Sequence, residues 1–470
     1  MLSDTSLNAL LWIVATGFFM QSTDTTIINT ALPAMAASLG KHALDLRPVV
    51  VAYSLTMAML TPASGWLADR FGTRRVYFTS ILVFVLGSAA CATSHTLWAL
   101  VTARIVQGIG GSMLLPVGRL AVLRTFPAER YISGLAFVAV AGQVGPLVGP
   151  VLGGWLVQVA SWHWIFLINV PLGALGCVAV LRFLPHSVDD QPAPPFDWPG
   201  FALIAAAMAT FSLGLDAPSH RQQGNGAIWA AILIAAAALC VLGYVLHARR
   251  RKQPLFPLSI MKQPGFALGL LGNLLARIGC AAVPFLLPLL LQLQLGYTPL
   301  HSGLMMLPVA VAGIFSKRAV APLVRRFGFV PFLVANTVLV GLSIASFATI
   351  SRSLPLPLQI VELAVFGMAN SLQFAAMNGV TLKDLGREYS GTGNSLFSMV
   401  QMLAISLGVT VGGGLVDALS AHGSSAALAY RITFVFMGVV ALLSTWVFVA
   451  MGSAGGRAAA AKTDAARQAS

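Results

Sequence analysis

The sequence predicts an all-α membrane protein with fourteen transmembrane helices, arranged as six spans, two inserted spans and six more, with both termini cytoplasmic. Three observations predict it. The chain is 57% hydrophobic and only 9% charged, with mean hydropathy +0.84, whereas soluble domains carry about 25% charged residues. Its apolar residues gather into repeated runs of about 20, the length a helix needs to cross a bilayer. Such helices satisfy their own backbone hydrogen bonds in lipid, and the alternating ten-residue pattern of a β-barrel is not seen. Finally, the basic residues concentrate in alternate loops, which fixes an inner side.

The runs fall at 7–32, 48–68, 76–94, 97–118, 131–157, 164–184, 200–215, 227–247, 266–292, 301–316, 329–350, 356–381, 391–418 and 430–451. In the first, Gln21, Asp24, Thr25 and Asn29 recur at three- and four-residue spacing and so share one helix face. A carboxylate in hydrocarbon is expensive and usually faces a cavity on an ion or substrate path. The alternative is that Asp24 only anchors a neighbouring helix.

Between the second and third runs lies Gly65–Arg75, a short charged turn holding Asp69, Arg70, Gly72, Arg74 and Arg75. Its excess of arginine marks the cytoplasmic surface. Its glycines are expected to let two helix ends approach, and Asp69 to accept from a helix N-terminus or pair with an arginine. An echo, Leu323–Gly328, returns in the second half with Arg325 where the first copy has Asp69, as in folds built from internal repeats.

Arg104 lies about seven residues below the outer end of the fourth run, and Asp24 about eight below the same surface. At ~1.5 Å per residue the two sit at similar depth, which allows a pair that opens or closes with proton uptake, or a static buried ion pair. The fifth run carries Gly145, Pro146, Gly149, Pro150, Gly153 and Gly154. Small residues at i, i+4 and i+8 make a flat stripe for close helix packing, and the prolines remove backbone donors. The stripe reads as a hinge or sliding seam, or as tight packing alone.

The proline- and aspartate-rich stretch 185–199 is the clearest break in composition and divides residues 1–184 from the rest as a cytoplasmic linker. The two runs that follow, within 200–252, are alanine- and leucine-rich and read as lipid-facing insertions. Arg249-Arg250-Arg251-Lys252 then returns the chain to the inner face. Residues 253–451 form the second six-span set. The alanine-rich residues 452–470 are a cytoplasmic tail expected to be disordered.

In the second half, Arg277 sits mid-span with Asn273 one turn before it, suited to an anionic or electronegative group or to a coupling carboxylate. Asn370 and Gln373 could line a polar cavity or bond between helices. Glu362 lies near an outer end, and Asp216 and Asp417 at outer helix ends expected to be solvated.

Of 28 lysines and arginines, only Lys41, Arg47, Arg221, Arg352 and Arg431 fall on the outer side. The net charge of +14 therefore sets topology and touches anionic lipid, with nucleic-acid binding not expected. Cys91, Cys177, Cys240 and Cys280 lie in separate runs without metal-ligand spacing. No cleavable signal peptide is evident. No phosphate-binding loop, nucleophile triad or metal cluster appears, so the chain reads as neither an enzyme nor a cofactor protein. Gradient coupling is left as the energy source.

At these residues the chain resembles the major facilitator superfamily. Gly65–Arg75 is similar to its loop between the second and third helices, Arg104 with Gln107, Gly108 and Gly110 to its fourth-helix motif, and Gly145–Gly154 to the fifth-helix motif of its antiporters. Asp24-Thr25-Thr26-Ile27-Ile28-Asn29 and Gly296-Tyr297-Thr298-Pro299 resemble the fourteen-helix drug:proton antiporter branch. The resemblance implies an exporter in the bacterial inner membrane that exchanges protons for small organic molecules by alternating access; a monomer is expected. It implies that Asp69 and its basic neighbours gate the cytoplasmic side, that Arg104 takes part in proton coupling with Asp24, and that the fifth-helix glycines favour antiport. Gln21, Thr25, Asn29, Asn273, Arg277, Asn370 and Gln373 are the candidate cavity residues. Two rivals stand beside this: an exporter of organic anions such as citrate or its metal chelates, which Arg277 would suit, and a non-transporting membrane sensor on a transporter fold.

Overall fold

The structure is a computed structural model that describes residues 4–126, 128–184, 195–216, 226–383, 385 and 389–468. Among them every regular element is helical. In chain order the helices are α1 Asp4–Ser38, α2 Arg47–Leu60, α3 Ser64–Phe71, α4 Thr73–Ala92, α5 Leu97–Thr125, α6 Ala128–Val159, α7 Trp164–Leu167, α8 Asn169–Phe183 and α9 Trp198–Asp216. They continue with α10 Gly226–Arg250, α11 Leu258–Met261, α12 Pro264–Leu289, α13 Pro299–Leu304, α14 Leu307–Phe327, α15 Phe329–Ser346, α16 Leu356–Lys383, α17 Ser390–Ala421 and α18 Ala426–Gln468. Thirteen helical stretches among the described residues are long and apolar enough to cross a membrane. The 35-residue α1 is not one of them by composition, because its polar face dilutes its hydropathy. Its length, about 50 Å at 1.5 Å per residue, exceeds a ~30 Å hydrocarbon core. With it the helices number fourteen.

Several boundaries move. The run expected to end at 316 continues as helix to Phe327, carrying Lys317, Arg318, Arg325 and Arg326 on helical backbone. The tail expected to lack structure is helical as far as Gln468, since alanine has the highest intrinsic helix propensity. The linker 185–199 lies mostly outside the described residues; its last residues are described, and Asp197 caps α9 by accepting from the Gly200 N–H at 3.2 Å.

Compactness divides the chain into two units, Met1–Ala237 with Pro284–Leu307, and Ala238–Val283 with Pro308–Ser470. In the first, α1 packs along α6. Cβ atoms added at Gly145, Gly149 and Gly153 would lie 2.1 Å from Ser22 Oγ, 2.2 Å from Thr26 Oγ1 and 2.5 Å from the Ile27 carbonyl. The stripe of small residues therefore seats the helix that carries Asp24. Gly154 faces α13 instead, its missing Cβ 2.2 Å from the Pro299 carbonyl. Gly303 returns the contact at 2.3 Å from the Pro150 carbonyl. Helix α9 is tied to α2 and α3 at both ends. The Trp66 ring lies 5.0 Å from that of Phe196 and meets Trp198 edge-on at 5.6 Å, and Asp216 pairs with Arg47 at 3.7 Å. Asp216, expected to be solvated, is thus an ion-pair partner, and Arg47 is buried rather than free in an outer loop.

In the second unit, glycines again set helix spacing. Gly341 and Gly438 bring α15 and α18 together, and Gly313 and Gly367 do the same for α14 and α16. The apolar core around Leu333, Leu372, Met377 and Phe448 fills the interior.

Candidate functional site

The site is built on α1 and α5. Arg104 and Gln107 stand one turn apart on α5, so both reach the same point. Asp24 Oδ2 lies 2.6 Å from Arg104 Nη1, and Asp24 Oδ1 accepts from Gln107 Nε2 at 2.8 Å. The pair is closed by Gln107 Oε1, which accepts from Arg104 Nη1 at 2.7 Å. Arg104 Nε donates to the Val49 carbonyl at 3.3 Å, and its guanidinium lies 4.0 Å over the Tyr53 ring. Asn169 Nδ2, at the start of α8, stands 3.5 Å from Asp24 Oδ1 and donates to Ser88 Oγ at 3.1 Å. Asp24 is 1% exposed and Arg104 0%. An unpaired ion at that depth would cost several kcal/mol; here Arg104 holds Asp24 Oδ2 and the Gln107 and Asn169 amides hold Oδ1.

The structure thus joins Asp24 and Arg104, read from sequence as lying at similar depth. Tyr53, Gln107, Ser88 and Asn169 complete the cluster. Only Gln107 carried a motif signal; Tyr53 and Ser88 sit in apolar runs with no spacing to mark them. The rest of the polar face of α1 divides. Gln21 donates to Met57 Sδ at 3.5 Å and leaves its Oε1 unpartnered; Asn29 is buried with Oδ1 unpartnered; Thr25 Oγ1 donates to the Gln21 carbonyl at 2.8 Å. Beyond Asn29, Pro33 interrupts the backbone ladder of α1. The Thr30 carbonyl accepts from Gln292 Nε2 at 3.0 Å, within a π-helical turn, Leu290–Gln294.

At the charged turn, Asp69 pairs with Arg124 of α5, which also donates to Thr73 Oγ1 at 3.1 Å. Arg74 donates to the Leu181 carbonyl of α8, while Arg70 and Arg75 are exposed. Gly72, at φ +84°, forms the single-residue joint between α3 and α4; that left-handed conformation favours glycine. Gly65 was expected to permit close approach, but a Cβ there would meet nothing within 4 Å.

In the second unit the candidate residues do not form one cluster. Arg277 lies 4.6 Å over the Phe374 ring with Nε unpartnered, and both amide atoms of buried Asn273 lack partners. Gln373 is committed elsewhere. It donates to Thr337 Oγ1 at 2.7 Å and accepts from Asn336 Nδ2 at 2.7 Å, tying α15 to α16. Asn370 is half-buried, and Glu362 accepts from Thr349 Oγ1 at 3.0 Å. No group of three potential metal ligands occurs among the described residues.

The model of the Major Facilitator Superfamily matches residues 14–409. MdtD of Serratia proteamaculans, named provisionally as a multidrug resistance protein, is 47% identical over 88% of this chain and 86% of its own. MdtD of Yersinia enterocolitica is 44% identical over 94% and 95%. Among solved structures, that of the POT family transporter PepTSo superposes with TM-score 0.71 at 16% identity, covering 97% of this chain and 99% of the other; at that identity the likeness is one of fold.

Proposed function

The chain belongs to the major facilitator superfamily and is a multi-pass membrane transporter, and on that premise we propose that it exports small organic molecules of the multidrug type in exchange for protons. The observation that carries the reading is the closed shell around Asp24. One carboxylate is buried with one guanidinium, and adding a proton to Asp24 removes half of that pair. Arg104 is then a buried cation without its counter-ion, a condition worth roughly 3–5 kcal/mol. Rearrangement of α1 against α5 relieves it. The glycine seam between α1 and α6 is where such a movement would slide, and the Asp69–Arg124 pair is a contact it would break or remake. A ligand shifts this balance only through different affinity for the two states. On this reading the protein lies in the bacterial inner membrane with the 65–75 turn and both termini in the cytoplasm. It acts as a monomer and takes protons and substrate at alternating faces.

The test is uptake of ethidium into inverted membrane vesicles whose lumen is acidified. Uptake that collapses with a protonophore, and is lost in D24N, supports proton exchange. Uptake unchanged when the gradient is collapsed overturns it.

A second reading, export of organic anions such as citrate or its metal chelates, is favoured by Arg277. No carboxylate pairs with it among the described residues, and the unpartnered Asn273 amide lies on the same helix. Citrate flux lost in R277A while ethidium flux persists would select this reading. Equal loss of both would reject it.

A further inference from the structure

Helix α10 ends in Arg249 and Arg250, followed at once by Arg251 and Lys252. Within the second unit the chain then turns through Pro254 and Pro257 into α11. This turn, α11 and the start of α17 border an open cavity of about 1110 Å³. Arg249, Arg251, Lys252 and Lys262 line it, and no carboxylate does among the described residues. Tyr389 and Thr392 add hydroxyl groups. Basic side chains gathered at one cleft make a region of positive potential that attracts anions.

The turn is built, not loose. Buried Tyr244 reaches forward from α10, its hydroxyl accepting from the Phe256 N–H at 2.7 Å and donating to the Phe256 carbonyl at 2.8 Å. Arg251 Nε donates to the Gln253 carbonyl at 3.3 Å. The cations are therefore offered by a fixed frame, which lowers the ordering cost of binding. The wall also contains Val245 and Leu258. Just before the cavity, Leu242 and Leu246 of α10 are 54% and 47% exposed, the surface a spanning helix presents to acyl chains. The cavity thus lies where apolar helix gives way to charge, the level of phospholipid headgroups.

We propose that this cavity binds the phosphate of an anionic phospholipid headgroup, with its glycerol and upper acyl carbons against the apolar wall. Free phosphate shares the charge chemistry but has no use for that wall. The site is independent of the Asp24 cluster.

The experiment uses the full chain in nanodiscs of phosphatidylcholine doped with phosphatidylglycerol, reading retained lipid by native mass spectrometry. Neutralising two cations in K252Q/K262Q is expected to weaken phosphatidylglycerol binding about 30-fold, at roughly a tenfold loss per 1.4 kcal/mol and ~1 kcal/mol per basic residue. The charge-conserving K252R/K262R should retain it, as should R325Q/R326Q at the far end of α14. Equal retention in K252Q/K262Q and R325Q/R326Q overturns the proposal. So does displacement of the lipid by millimolar inorganic phosphate, which would assign the cavity to a soluble anion.

Discussion

Gln107 Nε2 donates to Asp24 Oδ1 at 2.8 Å, from a position 83 residues further along the chain. The same side chain accepts from Arg104, so one amide spans both ions and fixes their separation. Hydrogen bonds to charged groups contribute about 1.5–3 kcal/mol each. Q107A removes two of them and should therefore lower stability by at least about 1.5–3 kcal/mol, read as thermal unfolding of the purified protein in detergent. A change no larger than that of an exposed alanine substitution would mean that the amide is incidental.

The ion pair should behave as a unit. R104Q leaves a buried carboxylate short of its counter-ion, a loss of roughly 3–5 kcal/mol. In D24N/R104Q neither charge remains. The double variant should be more stable than R104Q alone, with a coupling term of about 0.5–3 kcal/mol from the double-mutant cycle. Simple additivity would indicate that the two residues do not depend on each other.

The Asp69–Arg124 pair is partly exposed, with side chains 41% and 24% accessible, and such pairs add about 0–1 kcal/mol to stability. If the contact gates the cytoplasmic side, R124Q should leave the unfolding temperature nearly unchanged yet reduce ethidium efflux at least several-fold. Efflux at the parent rate would remove this pair from gating.

Glycines on the two sides of the first unit separate packing from conformational need. A Cβ at residue 153 would lie 2.5 Å from the Ile27 carbonyl, whereas one at residue 65 meets open space. Overpacking costs about 1–3 kcal/mol, so G153A should destabilise the protein and slow transport. G65A, within helix α3, should be neutral or stabilising by about 0.5–1 kcal/mol. Similar effects from the two would contradict close seating of α1 on α6.

Much of this was legible in the sequence because depth in a membrane can be counted along a helix. That count put Asp24 level with Arg104, and hydropathy located the spans. What one dimension does not carry is the rotation of each helix about its axis. Asn336, Asn370, Gln373 and Asn378 look alike as sequence, yet Gln373 is used up bridging α15 to α16. Asn169 comes within 3.5 Å of Asp24 only because α8 packs against α1. Asp216 reads as a solvated helix end until Arg47, far earlier in the chain, is found beside it. Charge also misleads at helix ends. Lys317 and Arg318 suggest a loop, but long side chains snorkel and α14 runs on beneath them.

The most direct measurement is of protons themselves. Purified protein in weakly buffered detergent, with a pH indicator, is mixed with ethidium, the proposed substrate. If Asp24 is the group that exchanges its proton as substrate binds, the parent protein releases protons and D24N, checked to bind the dye, releases none. Equal proton release from D24N would show that the exchanged proton resides elsewhere.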